Sequence, residues 1–215
     1  MPTGVASGPP RDCPICPRLV DLRLSLRDQH PDWFNAPVPS FGDPRARLVI
    51  VGLAPGLNGA NRTGRPFTGD YAGDLLYRTL LNLRLAQGEY RADPRDGLSL
   101  TDCLITNAVR CLPPANKPLP EEIAACRPFL TGQLDAVRSA RALVALGRIA
   151  HESVVRSFGG RMKDYPFGHG AVHTLPGGLR LFDSYHCSRY NTNTGRLTEE
   201  MFVEVMTAAR DFAQA

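Results

Sequence analysis

Four short apolar runs, separated by segments that form helices, constrain the fold more than any other feature of this sequence. The runs are RLVIVG (47–52), CLITNAV (103–109), ALVALG (142–147) and LRLFDSYH (179–186). Helical periodicity or a helix start follows in GDLLYRTLLNLRL, at Pro120, over 148–158 and in TEEMFVEVMTAARDFAQ. Strands that alternate with helices favour a parallel sheet. The pattern therefore predicts an α/β protein, a three-layer α/β/α sandwich with a central, mostly parallel four-stranded sheet.

Length and composition predict one core and a soluble setting. The 215 residues are 43% hydrophobic, which suits a single domain over 1–215, and we expect the Gly/Pro-rich residues 1–10 to be flexible. No apolar stretch approaches the roughly 18 residues of a membrane helix, and the N-terminus lacks the apolar core of a signal peptide. We therefore expect a cytoplasmic, bacterial-type monomer without a membrane partner. The net charge of +4 suits a nucleic-acid partner without requiring one.

A glycine-rich loop, GLAPGLNGANRTGRPFTGD (52–70), follows the first apolar run. In open parallel sheets, ligands bind beyond the carboxyl ends of the strands, so this loop is a candidate site. It lacks the lysine and hydroxyl residue of a phosphate-binding P-loop, and Pro55 interrupts a dinucleotide fingerprint. A purely structural turn remains open, although turn chemistry alone requires neither Phe67 nor Asp70.

The cysteines form a second candidate site. Cys13 and Cys16 make a C-x2-C motif, and Cys111 and Cys126 bracket fourteen residues far downstream. This spacing fits zinc and an iron–sulfur cluster equally well. A redox dithiol is the weaker alternative, because that motif normally follows a strand and opens a helix. The two remaining cysteines stand apart, and we interpret them as non-ligands.

The motifs together resemble a known family. GLAPG…TGRPFTGD, TNAVRC and HCSRYNTNTGRLT occur in order with the cysteine pattern, from Cys13 to the last helix. In this combination the chain resembles the uracil-DNA glycosylase superfamily, in particular its iron–sulfur branch and, within it, family 5 (type B). The resemblance implies a [4Fe–4S] cluster, with zinc as the alternative, on Cys13, Cys16, Cys111 and Cys126.

The resemblance also implies an activity. We expect a monofunctional glycosylase that hydrolyses the N-glycosidic bond of uracil in DNA and thereby initiates base excision repair. No lysine is placed as a Schiff-base nucleophile, so strand cleavage is not expected. Two alternatives stay open. One is a catalytically silent DNA-binding protein of the same fold, and the other is a zinc-stabilised nucleotide-binding protein.

Three strand-end residues match the needs of base excision. Phe67 offers a ring on which an extruded base stacks, with core packing as the alternative. The Asn107 carboxamide matches the O4 and N3–H edge of uracil, with a turn cap as the alternative. A neutral imidazole at His186 stabilises the leaving anion at O2 in the manner of an oxyanion hole. The resemblance supports all three roles.

The first motif itself is apolar. Gly52, Leu53 and Ala54 are expected to contact the base, and neither they nor Pro55 carry a polar side chain that would hold water. Asp70 is therefore the candidate for positioning water or stabilising the cationic sugar. Its alternative role is the N-cap of a helix that begins near Tyr71, and the two roles are compatible. An apolar first motif also suggests a roomier pocket that admits hypoxanthine, xanthine and ethenocytosine.

The segment after His186 is the expected DNA contact. Ser188, Arg189 and Tyr190 follow it, and the resemblance supports insertion of this loop into the base stack. By the same resemblance, Asn191 belongs to the active site. Further candidates for phosphate contact flank the strand ends: Arg62, Arg65 and Arg148. The predicted partner is DNA containing uracil or other deaminated bases.

Overall fold

A computed structural model of the chain describes residues 8–215, and it confirms the predicted α/β class. The helices are α1 (Pro17–Gln29), α2 (Ala60–Thr63), α3 (Tyr71–Asn82), α4 (Pro120–Ala136), α5 (Arg148–Ser157), α6 (Arg189–Asn193) and α7 (Glu199–Gln214). The strands are β1 (Phe41–Gly42), β2 (Leu48–Gly52), β3 (Ala86–Gln87), β4 (Ser99–Leu100), β5 (Cys103–Asn107), β6 (Ala142–Leu146), β7 (Val172–Thr174) and β8 (Arg180–Ser184). The expected flexibility of residues 1–10 falls mainly on residues 1–7, which lie outside the described residues.

The main sheet of the described residues has the strand order β1-β5-β2-β6-β8-β7. Its four inner strands pair in parallel and are the four predicted from the apolar runs. The edge strands β1 and β7 pair antiparallel, and the sequence analysis did not predict them. They have two and three residues, too few to show an alternating pattern. A separate two-stranded ribbon joins β3 and β4.

Alternate residues of the inner strands face opposite helical layers, as strand geometry requires. Leu48 and Ile50 of β2 pack in one core cluster with residues of α3 and α7. Val49 and Val51 pack in another cluster with residues of α4 and α5. Every residue of β2, β5 and β6 is buried, which explains their continuous apolar runs. The three-layer arrangement is therefore confirmed.

The helix α1 was not predicted. It begins at Pro17, directly after the C-x2-C motif, and its buried side chains include Leu19 and Leu26. Leu19 packs with Val109 and Cys126, so the helix fastens the first cysteine pair onto the rest of the fold. Among residues 8–215, none of the helices combines the length and the apolar composition that crossing a membrane requires.

Candidate active site

The carboxyl ends of three parallel strands meet at one cavity of about 370 Å³. Gly52 ends β2 and is the register partner of Asn107, which ends β5. His186 follows the end of β8 by two residues. The lining residues are Leu53, Ala54, Gly56, Ala60, Phe67, Asp70, Tyr71, Ala72, Asn107, Asn116, His186, Ser188 and Arg189. The structure thus brings Phe67, Asp70, Asn107 and His186 together, although they are far apart in the sequence.

Phe67 forms one wall of the cavity and is also part of the core. Its ring centroid lies 5.9 Å from that of His186, and the two planes differ by 27°. Its backbone has a φ of +53°, a left-handed conformation that is uncommon for an aromatic residue. Both predicted roles of this ring, packing and a face for a ligand, are therefore geometrically possible at once.

Gly52 gives the cavity its depth. A Cβ atom at this position would lie 2.7 Å from Cζ of Phe67 and closer still to Oδ1 of Asn107. Any side chain here would displace both groups. The Asn107 side chain is only 3% exposed, and its Oδ1 is buried without a hydrogen-bond partner. A buried acceptor left unpaired is costly, so this oxygen is suited to accept a hydrogen bond from a ligand.

His186 also lines the cavity, as a neutral ring. Burial lowers the pKa of its imidazole to about 4, so it is uncharged at neutral pH. Asn191 donates through Nδ2 to the carbonyl oxygen of His186, at 2.8 Å. Asn191 was predicted to contact the substrate, but its side chain is directed at the backbone instead. Its amide is engaged by the backbone behind His186, and it does not line the cavity.

Asp70 is the N-cap of a helix, which is one of its two predicted roles, and it also lines the cavity. Its Oδ1 accepts from the backbone N–H of Gly73 at 3.2 Å, which makes it the N-cap of α3. The carboxylate also lines the cavity, where Oδ2 lies close to Gly56 and Gly59. Burial raises the pKa of this carboxyl group, and the hydrogen bond from Gly73 opposes the rise. The charge is therefore held in a poorly solvated position next to the ligand space.

The segment after His186 forms part of the rim. Ser188 caps α6 by accepting from the N–H of Asn191 at 3.4 Å. The Arg189 guanidinium lies 5.3 Å from the ring centroid of Tyr71. Tyr190 is 72% exposed and lies outside the cavity lining. Ser188 and Arg189 thus border the cavity, and Tyr190 stands free on the surface.

The structure contradicts the interpretation of Arg65 as a phosphate contact. Its guanidinium is buried and forms a two-pronged ion pair with Asp96, with N–O distances of 2.8 and 2.7 Å. Of the other two candidates, Arg62 is exposed, and Arg148 borders a neighbouring depression of about 370 Å³ that shares Leu53 and His186 with the first cavity.

Several lining residues were not predicted from the sequence, and Asn116 is the only one of these with an amide side chain. It belongs to the segment between Cys111 and Cys126, which was interpreted only as a ligand-bearing loop. Asn116 has a φ of +57° and follows Ala115 at +53°, so the loop turns sharply to reach the cavity. Asn tolerates this left-handed conformation better than most residues, which is the only local signal.

The four predicted cysteine ligands surround one small cavity of about 20 Å³ near the start of α1. Among residues 8–215, the one group of three potential metal ligands with donor atoms all within 4.8 Å does not include these sulfurs. Four thiols around one cavity are a donor set that suits both a zinc ion and an iron–sulfur cluster.

The other two cysteines lie elsewhere, as predicted. Cys103 is buried in β5, and Cys187 is buried with its thiol directed at the carbonyl oxygen of Ala72, at 3.5 Å. Neither lines the cavity around the four predicted ligands.

The group of three potential ligands is a buried polar cluster of His151, His173 and Asp183. His151 contacts Oδ1 of Asp183 at 2.8 Å through Nδ1 and the carbonyl oxygen of Tyr165 at 2.9 Å through Nε2. Each ring nitrogen of His151 is therefore engaged by an oxygen atom. These contacts tie α5 to β8, three residues before His186.

Comparison with known proteins agrees with this geometry. The profile of the Uracil DNA glycosylase superfamily matches residues 39–210. The chain is 48% identical to the Type-5 uracil-DNA glycosylase of Thermus thermophilus over 94% of both chains. It is 42% identical to the Type-5 uracil-DNA glycosylase of Pyrobaculum aerophilum, over 92% of this chain and 88% of the relative. A Type-4 uracil-DNA glycosylase of Saccharolobus solfataricus is 34% identical, over 80% of this chain and 75% of the relative.

Proposed function

The chain belongs to the uracil DNA glycosylase superfamily, and we propose that it excises uracil from DNA with the flipped base bound in the cavity that Phe67 and His186 line. One observation carries this assignment to the cavity. A stacking ring, an unpaired carboxamide oxygen, a neutral imidazole and a buried carboxylate converge there from four segments of the chain. The cavity volume lies within the range of about 300–1,000 Å³ typical of small-ligand pockets.

The base is recognised by stacking and by one polar edge. The flipped ring stacks on Phe67, which is worth about 1–3 kcal/mol by comparison with single-strand binding. Leu53 and Ala54 supply apolar contacts, and Gly52 leaves the space that the base edge needs. Oδ1 of Asn107 accepts from N3–H of uracil, and the amide nitrogen donates to O4. This pairing satisfies the acceptor that is unpaired in the free protein.

Cleavage moves the bonding electrons onto the base. The C1′–N1 bond breaks, the sugar becomes cationic, and the uracil anion carries its charge partly on O2. A neutral His186 donates a hydrogen bond to O2, and one such donor is typically worth about 2.7–4 kcal/mol. Because burial lowers the pKa of His186 to about 4, the ring acts by hydrogen bonding rather than as a full cation.

Asp70 completes the reaction on the other face of the sugar. We propose that its carboxylate orients a water molecule toward C1′ and stabilises the cationic sugar. The water oxygen bonds to C1′, and its released proton passes through the carboxylate to solvent. The N-cap contact from Gly73 fixes one carboxylate oxygen and leaves Oδ2 for this work. Asn191 acts indirectly, since it holds the His186 carbonyl oxygen.

DNA binding is proposed for the rim. Ser188 and Arg189 border the cavity, where they reach the phosphates beside a flipped nucleotide. Tyr190 is the most exposed large hydrophobic side chain described, which suits insertion into the gap left in the stack. Exposed Arg62 and Arg148 are available for further phosphate contacts.

We also propose that Cys13, Cys16, Cys111 and Cys126 hold a [4Fe–4S] cluster with a structural role. Such a cluster would tie α1 to the segment that delivers Asn116 to the cavity. The N–H of Arg110 donates to Sγ of Cys126 at 3.4 Å, a contact that stabilises a thiolate. We further propose that residues 1–215 act as one domain and as a monomer in the cytoplasm, in support of base excision repair.

The decisive experiment is single-turnover incubation with a uracil-containing duplex, followed by alkali and analysis of the strand. We expect uracil release by the wild type and a rate about 100- to 1,000-fold lower in His186→Ala. His30→Ala is the matched control, since His30 stacks on Trp33 away from the cavity. A wild type that binds the duplex and releases no base would instead indicate a silent DNA-binding protein. Full activity in His186→Ala would refute the catalytic assignment.

A broader substrate range follows from the apolar first motif. Leu53 and Ala54 present no polar group that would reject a larger or differently substituted base. We propose that hypoxanthine, xanthine and ethenocytosine are excised in addition to uracil. Duplexes that carry each base, compared under single-turnover conditions, test this range, and strict preference for uracil would refute it.

A further inference from the structure

The turn that carries Phe67 and Asp70 rests on a group of buried and half-buried side chains, which we call the backing cluster: Phe41, Arg65, Tyr77, Tyr90 and Asp96. The Arg65 guanidinium lies 5.2, 5.4 and 5.8 Å from the ring centroids of Phe41, Tyr77 and Tyr90. Its charge is compensated by Asp96, whose side chain is fully buried. The rings of Tyr77 and Tyr90 stack at 4.6 Å. This arrangement is rigid because every charged group is paired.

The hydroxyl groups of the cluster bind the backbone of the turn. Tyr77 donates to the carbonyl oxygen of Pro66 at 2.6 Å. The Tyr90 hydroxyl donates to the carbonyl oxygen of Phe67 and accepts from the N–H of Gly69, both at 3.3 Å. Tyr90 therefore bonds the backbone at two points of the turn between Phe67 and Asp70.

This turn needs such support. Phe67 has a φ of +53°, a conformation that persists for a bulky residue only where the surroundings enforce it. The direction of the phenyl ring depends on that φ. A hydrogen bond to the carbonyl oxygen of the same residue restricts the peptide plane, and with it the orientation of the ring at the cavity wall.

The same hydroxyl also touches the helix that Asp70 caps. An ideal Cβ atom at Gly73 would lie 2.6 Å from Oη of Tyr90. The hydroxyl thus sits directly under the first turn of α3, whose N–H at Gly73 binds the Asp70 carboxylate. One oxygen atom contacts both the segment of the stacking ring and the turn that orients the carboxylate.

We propose that the Tyr90 hydroxyl is a positioning group, which holds the Phe67 ring and the Asp70 carboxylate in a fixed relation to each other. This inference rests on the proposed function of the cavity. Burial raises the pKa of Tyr90 to about 12, so the hydroxyl keeps its proton and its donor role at neutral pH. Arg65 and Asp96 act one layer farther away, by holding the tyrosine rings.

The test is Tyr90→Phe, which removes one oxygen and keeps the stacking ring. The matched control is Thr79→Val in α3, where a buried hydroxyl donates to the carbonyl oxygen of Leu75 at 2.8 Å, away from the turn. Thr79→Val loses this one buried hydrogen bond, whereas Tyr90→Phe loses the two part-buried hydrogen bonds to the turn. Each is assayed for thermal midpoint, for single-turnover uracil release with its amplitude and rate constant, and for inhibition by free uracil.

We expect Tyr90→Phe to lower the rate constant of uracil release about tenfold and to raise the inhibition constant of uracil by a similar factor. Its affinity for a uracil-free duplex should stay within about twofold of the wild type. Thr79→Val should lower the thermal midpoint with a wild-type rate constant. Because the amplitude counts active molecules, a partly unfolded preparation lowers the amplitude and leaves the rate constant informative.

The outcomes separate the two levels of the proposal. A Tyr90→Phe variant with a wild-type rate constant and wild-type inhibition by uracil would assign Tyr90 a purely structural role. That result would leave the proposed function intact. A wild type that releases no uracil would overturn the proposed function itself, and the positioning role with it.

Discussion

Replacement of Asp70 by asparagine separates the capping role of this residue from its proposed catalytic role. In the wild type, Oδ1 of Asp70 accepts from the N–H of Gly73 at 3.2 Å. Asparagine has the same shape and keeps an oxygen that can accept this hydrogen bond. Asn and Asp are comparably good N-caps. Loss of the negative charge at the start of α3 removes about 0.3–1 kcal/mol of favourable interaction with the helix dipole. We therefore expect the free energy of unfolding at neutral pH to change by less than about 1 kcal/mol.

The stability difference between Asp70→Asn and wild type should change with pH in a defined direction. Burial raises the pKa of Asp70 above its ordinary value of 3.8, so the folded state binds the proton more tightly than the unfolded state does. The resulting stabilisation is fully present below the unfolded pKa, and it is lost as the pH rises through the folded pKa. Asparagine does not ionise. The difference in stability between Asp70→Asn and wild type should therefore move in favour of the variant as the pH rises from about 3 to 7.

Activity should respond far more strongly than stability. A positioned acid or base contributes about 100- to 10,000-fold to a rate, so we expect uracil release by Asp70→Asn to slow by at least about 100-fold. Asp70→Ala is the control for the cap, and it should lose about 1 kcal/mol of stability in addition. Thermal unfolding from acid to neutral pH and single-turnover uracil release test both parts. An asparagine variant with a rate within about threefold of wild type would reduce Asp70 to a capping residue.

Three further predictions follow from the site. In Gly52→Ala, the new methyl group would collide with the Phe67 ring and the Asn107 amide. Uracil release should therefore fall sharply, while binding to a uracil-free duplex is retained. A normal rate of release would mean that the base does not enter this space. The rate of uracil release should be constant near neutral pH and decline toward acid, because Asp70 and His186 are both proposed to act in their deprotonated forms. In Asp70→Asn, a decline confined to pH values near 4 would reflect the titration of His186 alone. A rate that rises toward acid would contradict both assignments. The purified protein should be brown, with absorbance near 400 nm. Cys111→Ser should lower both this absorbance and the thermal midpoint, whereas Cys103→Ser, the control, should keep the colour. A colourless protein that contains zinc would refute the cluster.

The central sheet was predictable because burial on both faces leaves a clear record in sequence. The apolar runs that predicted β2, β5, β6 and β8 agree with the observed strands to within one or two residues at each end. The edge strands β1 and β7 leave no such record, because they are short and each has only one neighbour. The helix α1 was missed for a related reason. It buries few side chains, and its contacts with the cysteine cavity exist only in the folded chain.

The candidate site was predictable to the extent that it depends on topology. Parallel strands bring their carboxyl ends to one edge, so residues at the ends of β2, β5 and β8 had to lie near one another. Asn116 was missed because its position depends on how a long loop folds over the cavity. Asn191 was assigned to the pocket because it follows His186 in the motif. The direction of its side chain is set by a hydrogen bond that no sequence pattern specifies.

The pairs of alternatives weighed from the sequence were not exclusive. Phe67 was expected either to pack in the core or to stack on a base, and it is placed to do both. Asp70 was expected to cap a helix or to act on water; it caps α3, and its carboxylate also lines the cavity. Where a residue that lines the site also packs in the core, the core contacts already fix its rotamer, and no further residues are needed to hold it. The consequence is experimental. Truncation of Phe67 or Asp70 to alanine would remove the structural contribution together with the proposed functional one, so only isosteric changes such as Asp70→Asn and Tyr90→Phe separate the two.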